Sequence, residues 1–142
     1  MLFTRECDYA IRVIRALSCK DLVSVAEICS MEQLTSAMTY KITRKLEKAG
    51  LLKSYRGVNG GYALNRDLSE ISLYDICSAI DPDLLLVECM KPDYNCPMNE
   101  PKKPCMVHQE FCRLQDILLR EMKGKSLSEI LGDSMGISYK LK

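Results

Sequence analysis

The sequence predicts a mainly α-helical fold that contains one two-stranded β hairpin and ends in a long helix. Three observations predict this class. Apolar residues recur at helical spacing, polar side chains stand where they can cap helix ends, and two short strand-like runs flank a glycine-containing turn. A chain of 142 residues fits one domain, or a small domain with an appendage.

Three helices are predicted before the hairpin. The first follows Thr4, a capable N-cap, and carries apolar residues with helical period. The second begins in "SVAE", where Ser24 and Glu27 form a capping box, and runs to about Met31. The third lies in "LTSAMTYKITRKLEKAG", whose Gly50 stands where a helix commonly ends.

The hairpin is predicted from two strand-like runs, "LLKSY" and "GYALNR", which lie on either side of "RGVNG". The order of helix, short helix, longer helix and hairpin is that of a winged helix-turn-helix, with the hairpin as its wing. Residues 71–81 predict one more helix, in which Ser72 and Asp75 are spaced as a cap pair.

The C-terminal part begins with a loop rich in proline and cysteine. Beyond it, residues 108–124 are strongly amphipathic, and Ser126 and Glu129 repeat the capping-box pattern before a short helix. The predicted division has four parts: a winged helix-turn-helix over 1–80, a cysteine-rich loop over 81–107, the two helices over 108–132 and a tail over 133–142.

The net charge of +1 hides an asymmetry along the chain. Between residues 36 and 66 there are seven bases and one acid, whereas between residues 67 and 100 there are eight acids and one base. A basic segment within a neutral protein can bind a polyanion locally, because screening limits phosphate attraction to roughly 8–10 Å. Charge alone also fits a solvated helix face.

The winged helix-turn-helix predicts which residues meet DNA. The second helix of the motif enters the major groove with its N-terminal residues near base edges. The corresponding residues here are Thr35, Ser36, Ala37, Thr39, Tyr40 and Lys41. Arg44 lies further along the helix, where it can contact phosphate, and Arg56 in the wing can enter a narrow minor groove. Together they predict an interface for double-stranded operator DNA.

The cysteines divide into two groups of four. One group falls in helical segments and is interpreted as small core or surface residues: Cys7, Cys19, Cys29 and Cys77. The other group lies in "CMKPDYNCPMNEPKKPCMVHQEFC", residues 89–112, with the chain's single histidine. This set can hold zinc or an iron–sulfur cluster. Only Cys105 and His108 have the short spacing common in zinc sites. Cys112 is either a spare ligand or a buried residue of the helix.

Several function classes find no support. No apolar run approaches the ~20 residues of a membrane helix, and the N-terminus mixes acids and bases, unlike a secretory signal. We therefore expect a cytoplasmic protein, in which thiols stay reduced. The sequence has no glycine-rich phosphate loop after a strand and no Cys-x-x-Cys motif, so neither an enzyme nor a small-molecule substrate is predicted.

The segment "RGVNGGYALNRDLSEISLYDICSAID", residues 56–81, resembles a family of dimeric winged-helix bacterial regulators. That family includes the iron–sulfur assembly regulator, the nitric-oxide-sensing repressor, and iron- and cysteine-responsive repressors. "LFTRECDYAIRVIRAL" and "ITRKLEKAGLLKSYRG" are similar to it too, so the resemblance covers roughly residues 1–132. It implies a homodimeric transcription regulator whose helix over 108–124 crosses its partner at the interface.

The resemblance also implies that three cysteines ahead of the dimerisation helix hold an iron–sulfur cluster. Cys89, Cys96 and Cys105 match those positions in order, with wider spacings than in the assembly regulator. The cysteine-metabolism repressor lacks both the three-cysteine loop and the cluster. The implied function is a repressor whose operator affinity depends on the cluster, and so on redox state, nitric oxide or iron supply.

Two residues are candidates for the fourth ligand. His108 follows Cys105 with two residues between, as in the assembly regulator, where a histidine completes a two-iron cluster. Asp8 matches the aspartate that reaches across the dimer to a four-iron cluster in the nitric-oxide sensor. Asp8 and the four-iron form are favoured here. The alternative is a winged-helix DNA-binding protein that zinc or disulfides stabilise and that has no sensing cluster.

Overall fold

The computed structural model describes residues 3–132, and its elements follow the predicted order. They are α1 (Arg5–Leu17), α2 (Val25–Glu32), α3 (Ser36–Lys48), β1 (Leu52–Tyr55), β2 (Gly61–Leu64), α4 (Leu73–Ile80), α5 (Met106–Gly124) and α6 (Leu127–Leu131). Two short 3-10 turns, Leu68–Glu70 and Glu88–Met90, lie between them. The mainly helical class with a two-stranded wing is confirmed, and the predicted tail lies outside the described residues.

Side-chain caps set the helix N-termini close to the predicted positions. The hydroxyls of Thr4 and Thr35 accept from the backbone amide three residues on and cap α1 and α3. The three predicted capping boxes are present at Ser24, Ser72 and Ser126. Only α5 differs, because the Cys105 sulfur caps it and the helix begins at Met106 rather than at residue 108.

The core of the winged domain forms around α1, which packs against α2, α3 and α4. Ile14, Ile28, Ile42 and Leu46 from these helices are fully buried. Burial of each such side chain contributes roughly 1.5–3 kcal/mol relative to exposure. The helix-turn-helix is therefore held by apolar packing that is complete within one chain.

An ion pair between half-buried Arg15 and the buried carboxylate of Glu32 fastens α2 to α1. The Arg15 guanidinium donates from Nε to Glu32 Oε1 at 2.9 Å and from Nη2 to Oε2 at 2.5 Å. The Glu32 side chain is only 2% exposed, so the two-pronged contact compensates for the lost hydration of its carboxylate. This pair ties the last residue of α2 to α1.

The wing is an antiparallel pair in register from Leu52 opposite Leu64 to Tyr55 opposite Gly61. Val23, just before α2, exchanges two backbone hydrogen bonds with Tyr62 at 3.0 and 2.9 Å. A Cβ at Gly61 would collide with the Val23 backbone, so glycine is needed for this close approach. Gly61, the third glycine of the wing segment, thus attaches the hairpin to the helix-turn-helix.

The C-terminal helices return to the winged domain. α5 packs against α4 and against the Glu88–Met90 turn, while α6 packs on the Leu68–Glu70 turn. The Leu127 amide donates to the Ile71 carbonyl at 2.7 Å. Within residues 3–132, no helix combines the length and apolar character needed to cross a membrane.

Candidate functional site

The N-terminal half of α3 carries most of the predicted DNA contacts on an open surface. Five of the six predicted residues of this helix are exposed: Thr35, Ser36, Ala37, Tyr40 and Lys41. Arg44 and Arg56 are exposed as well. Tyr40 keeps half of its surface exposed. The DNA contacts of these residues stay a prediction, and their exposure leaves the side chains available to a duplex.

Thr39 is the exception, and the structure contradicts its assignment to the DNA-facing set. It is fully buried, and its hydroxyl donates to the Thr35 carbonyl at 2.9 Å. Its Oγ1 also lies 3.3 Å from the Cys29 sulfur on α2. Thr39 therefore faces α2 at the inner side of the helix-turn-helix, where it cannot reach a base edge.

Two lysines of α3 meet an acid of α1. Glu6 accepts from Lys41 and from Lys45, the latter at 2.7 Å. These hydrogen bonds, first from Lys41 and then from Lys45, lower the pKa of the Glu6 carboxyl below its ordinary value. The contact joins the start of α1 to the middle of the DNA-facing helix.

The cysteine-rich loop leaves α4 along a strained path that α5 holds in place. Leu84 has a φ of +43°, a conformation that costs a non-glycine residue free energy. Buried Gln115 of α5 donates to the Leu84 carbonyl and accepts from the Leu86 amide, both at 2.8 Å. Asp81 accepts from the Leu84 amide at 3.3 Å. The start of the loop is thereby fixed to α5.

Asn99 links the second and third cysteines of the loop. The backbone amide of Asn99 donates to the Cys96 carbonyl at 3.1 Å and closes a turn. Its side-chain oxygen accepts from the Cys105 amide at 2.8 Å. Asn99 therefore positions the start of α5 relative to the turn that carries Cys96.

Three of the cysteines in segment 89–112 contact His108 through its ring or its backbone. Cys89 Sγ lies 3.4 Å from its Nδ1, and Cys112 Sγ lies 3.4 Å from its Nε2. The His108 amide donates to Cys105 Sγ, also at 3.4 Å. All four residues are half-buried. Three of the four cysteines in segment 89–112 thus meet one histidine.

Cys96 is half-buried as well, but within residues 3–132 no hydrogen bond joins its sulfur to His108. In that same part of the chain, no three acidic, histidine or cysteine side chains converge closely enough to enclose a single metal ion. A cluster spreads its protein ligands over several irons, so its sulfurs need not converge on one point.

The remaining cysteines agree with their interpretation as small core or surface residues. Cys7 and Cys77 are both 1% exposed in the core between α1 and α4. Burial, together with the neighbouring Cys7, raises the pKa of the Cys77 thiol to about 12. Cys19 and Cys29 are half-buried, and all eight cysteines are free.

Asp8, the other candidate ligand, pairs with a residue of its own helix. It is half-exposed on the first turns of α1, and its carboxylate pairs with Arg12 at 3.0 Å. Such an i,i+4 pair on a helix surface is weak and can be exchanged for another partner.

Sequence reasoning missed two positioning residues, Gln115 and Asn99. Gln115 had a detectable signal: it is a polar residue on the helical stripe that also holds Cys112 and Met122. Asn99 lies in a loop without periodicity, so no sequence pattern distinguished it from its neighbours. Its role depends on two hydrogen bonds that only the folded loop forms.

The helix-turn-helix, the wing and the exposed basic face of α3 define a DNA-binding transcriptional regulator rather than an enzyme. The chain belongs to the Rrf2 family, described as "Iron-dependent Transcriptional regulator", which matches residues 3–133. The family is the one that the wing motif resembles, so that expectation is confirmed.

Relatives cover nearly the whole chain. Protein aau3 of Rhizobium meliloti is 31% identical over 99% of this chain and 92% of its own length. The HTH-type transcriptional regulator NsrR of Halalkalibacterium halodurans is 28% identical over 100% of this chain and 98% of its own length. The solved structure of CymR, the global cysteine regulator of B. subtilis, has the same fold. Its TM-score is 0.71 at 21% identity, with 90% of this chain and 94% of that chain covered.

Proposed function

We propose that this protein is a homodimeric cytoplasmic repressor whose affinity for operator DNA depends on an iron–sulfur cluster. The cluster is bound by Cys89, Cys96 and Cys105 in the loop between α4 and α5. The observation that carries the proposal is that three cysteines meet His108: Cys89 and Cys112 lie at its ring nitrogens, and Cys105 accepts from its backbone amide. The family's description as iron-dependent supports it independently.

The donor set fits such a cluster chemically. Thiolates and imidazole are the ligands that iron–sulfur clusters use, and the cysteines here are free and half-buried. When bound, the cluster would supply a link between loop and helix that oxidation or nitrosylation can break. The proposed form is the four-iron cluster, which the resemblance to the nitric-oxide sensor favoured over the two-iron form.

DNA binding is assigned to the exposed face of α3 and to the wing. Thr35, Ser36, Ala37, Tyr40 and Lys41 approach base edges in the major groove, while Arg44 contacts phosphate. Arg56 stands at the exposed wing, where it reaches the adjacent minor groove. Thr39 is left out of this set because it is buried.

The dimer is inferred from α5. This helix leaves large apolar side chains exposed in the single chain, among them Met106, Val107 and Leu114. Exposed apolar residues along one helix favour a partner helix. A homodimer would place two α3 helices on successive major grooves, as two half-sites require. Light scattering of the purified protein checks this assignment, with twice the 16.1 kDa chain mass as the expected result.

The coupling between cysteine site and DNA follows the contacts of the loop. Gln115 fastens the start of the loop to α5, and α5 packs on α4, which in turn packs on α1 and α3. Release of Cys89 and Cys105 would free the loop and shift α5, changing the spacing of the two α3 helices. Allosteric coupling of about 1–3 kcal/mol changes operator occupancy roughly 5- to 150-fold.

The fourth position of the cluster has two candidates from the sequence. His108 lies among the cysteines, whereas Asp8 pairs with Arg12 and would have to come from the other subunit. The short contacts therefore support a residue of the same chain over Asp8, which changes the preference that the sequence suggested.

The test begins with anaerobic purification and counts of iron, sulfide and zinc per chain. Operator sequences are selected from random DNA, and binding is then compared before and after iron removal. We expect iron with sulfide, and a Cys96→Ala variant that loses both the brown colour and the DNA response. Cys19→Ala, a half-buried cysteine outside the site, is the matched control.

Two results would contradict the proposal. Zinc without iron or sulfide would favour a metal-stabilised DNA-binding protein that does not sense. An unchanged operator response in Cys96→Ala would remove the sensing role even if a cluster is present.

A further inference from the structure

The first two turns of α5 carry three donors on one helix face. Cys105, His108 and Cys112 are spaced i, i+3 and i+7, which places them one above the other. Helical side chains also tilt towards the N-terminus, so Cys112 leans back towards His108. The 3.4 Å contact between Cys112 Sγ and His108 Nε2 agrees with this direction.

Cys112 does not belong to the fully buried core. It is half-buried, whereas the core cysteines Cys7 and Cys77 are 1% exposed. Its neighbour Gln115 is the buried residue of this stretch of α5 and fastens the loop. The Cys112 sulfur therefore faces the same imidazole as Cys89 and has the exposure of the loop cysteines.

We propose that Cys112 is the fourth ligand of the cluster, an assignment that rests on the function proposed above. It completes an all-thiolate set within one subunit: Cys89, Cys96, Cys105 and Cys112. Four cysteines are the usual ligands of both two-iron and four-iron clusters. The site then needs no carboxylate from a partner, and Asp8 keeps its surface pair with Arg12.

His108 takes a different role in this arrangement. Its two ring nitrogens each face a sulfur, Cys89 on one side and Cys112 on the other. The ring is therefore placed to donate a hydrogen bond to a ligand sulfur rather than to bind iron. Hydrogen bonds to the sulfurs are one of the features that set the reduction potential of a cluster. His108 is thus a positioning residue that tunes the cluster.

The test compares full-length protein with Cys112→Ser, Cys112→Ala and His108→Ala, with Cys19→Ala as the control. Each is loaded anaerobically with ferrous iron and sulfide. Iron and sulfide are counted by native mass spectrometry, and iron release to a chelator is timed. Circular dichroism verifies folding, and serine preserves the size of Cys112, so lost packing does not mimic a lost ligand.

Both Cys112 variants are expected to lose the cluster or to release its iron at least about tenfold faster. Even residues that only hydrogen-bond to metal ligands change metal affinity by about this factor. His108→Ala should keep the iron and sulfide count but show a shifted reduction potential. In the reduced, paramagnetic cluster of the unsubstituted protein, no nitrogen coupling to iron is expected.

Cys112 variants that match the unsubstituted protein in iron count and release rate would overturn this assignment alone. So would a nitrogen coupling that disappears in His108→Ala, because His108 would then be the ligand. If the unsubstituted protein takes up no iron and sulfide, the proposed function fails and this assignment fails with it.

Discussion

The winged domain and the cysteine-rich loop are held by contacts of different kinds. In the winged domain, fully buried aliphatic side chains from several helices pack together, as Ile14 and Ile42 do. In the loop from residue 81 to 107, only Leu84 joins the apolar core, and the turns are held by individual hydrogen bonds, two made by Asn99 and two by Gln115 of α5. Apolar packing is spread over many atoms, whereas each of these hydrogen bonds acts alone.

This difference suits the proposed division of work. A DNA-reading unit must present α3 in one orientation, which a close-packed core maintains. A sensing loop must change its arrangement when a signal arrives, and a segment held by few contacts opens at low free-energy cost. Substitutions in the two regions should therefore differ in how much unfolding free energy they remove and in how far through the molecule their effect extends.

The largest effect is expected from Ile42→Ala in the winged core. Ile42 is fully buried on α3, and truncating such a side chain costs about 2–5 kcal/mol, because it removes apolar contacts and leaves a cavity. Urea denaturation should report this loss. Met98→Ala in the loop, where Met98 is 75% exposed, should stay within about 0.5 kcal/mol of the unsubstituted protein. Equal losses in the two variants would erase the distinction between the regions.

A smaller and more local effect is expected from Gln115→Leu. The substitution leaves the Leu84 carbonyl and the Leu86 amide without their partner, at a cost of roughly 1–3 kcal/mol. Hydrogen exchange of the Leu86 amide should accelerate while that of amides in α1 stays unchanged. The neighbouring exposed residue offers the control Asp116→Ala, which should leave both rates as they are. Faster exchange throughout α1 would mean that the loop and the winged core open together.

The smallest effect is expected from Glu6→Gln, and it depends on pH. Because Lys41 and Lys45 lower the pKa of Glu6 in the folded protein, the carboxylate stabilises the fold fully above the ordinary value of 4.5. That stabilisation is lost as the pH falls through the lowered folded-state pKa. At neutral pH the variant should lose less than about 1 kcal/mol of unfolding free energy.

Below pH 4.5 the two curves should converge, because the unsubstituted protein loses this contribution and the variant has none to lose. Chemical denaturation across the acid range measures the difference in unfolding free energy between the two proteins. Glu121→Gln, at an exposed residue of α5, is the control. A gap that stays constant down to the lowest pH at which the protein folds would show that Glu6 does not act through its charge.

The sequence predicted the winged domain better than the site that is proposed to control it. Helix starts at Ser24, Ser72 and Ser126 were identified because a capping box pairs residues only three positions apart, so the pattern is visible in the sequence itself. The start of α5 was missed by two residues because its cap is the sulfur of Cys105, a residue outside the usual capping set. Thr39 was misassigned because a position near the start of α3 does not reveal which side of the helix faces α2.

What the sequence determined by itself was local: the order of elements, their caps, the glycines of the wing and the candidate donors of segment 89–112. These follow from side-chain chemistry and spacing within a few residues. The tertiary structure decided which donors meet. Cys89 and His108 are 19 residues apart in sequence, and Gln115 contacts Leu84 across 31. Such contacts depend on how α5 returns to the loop, and no local pattern encodes that path.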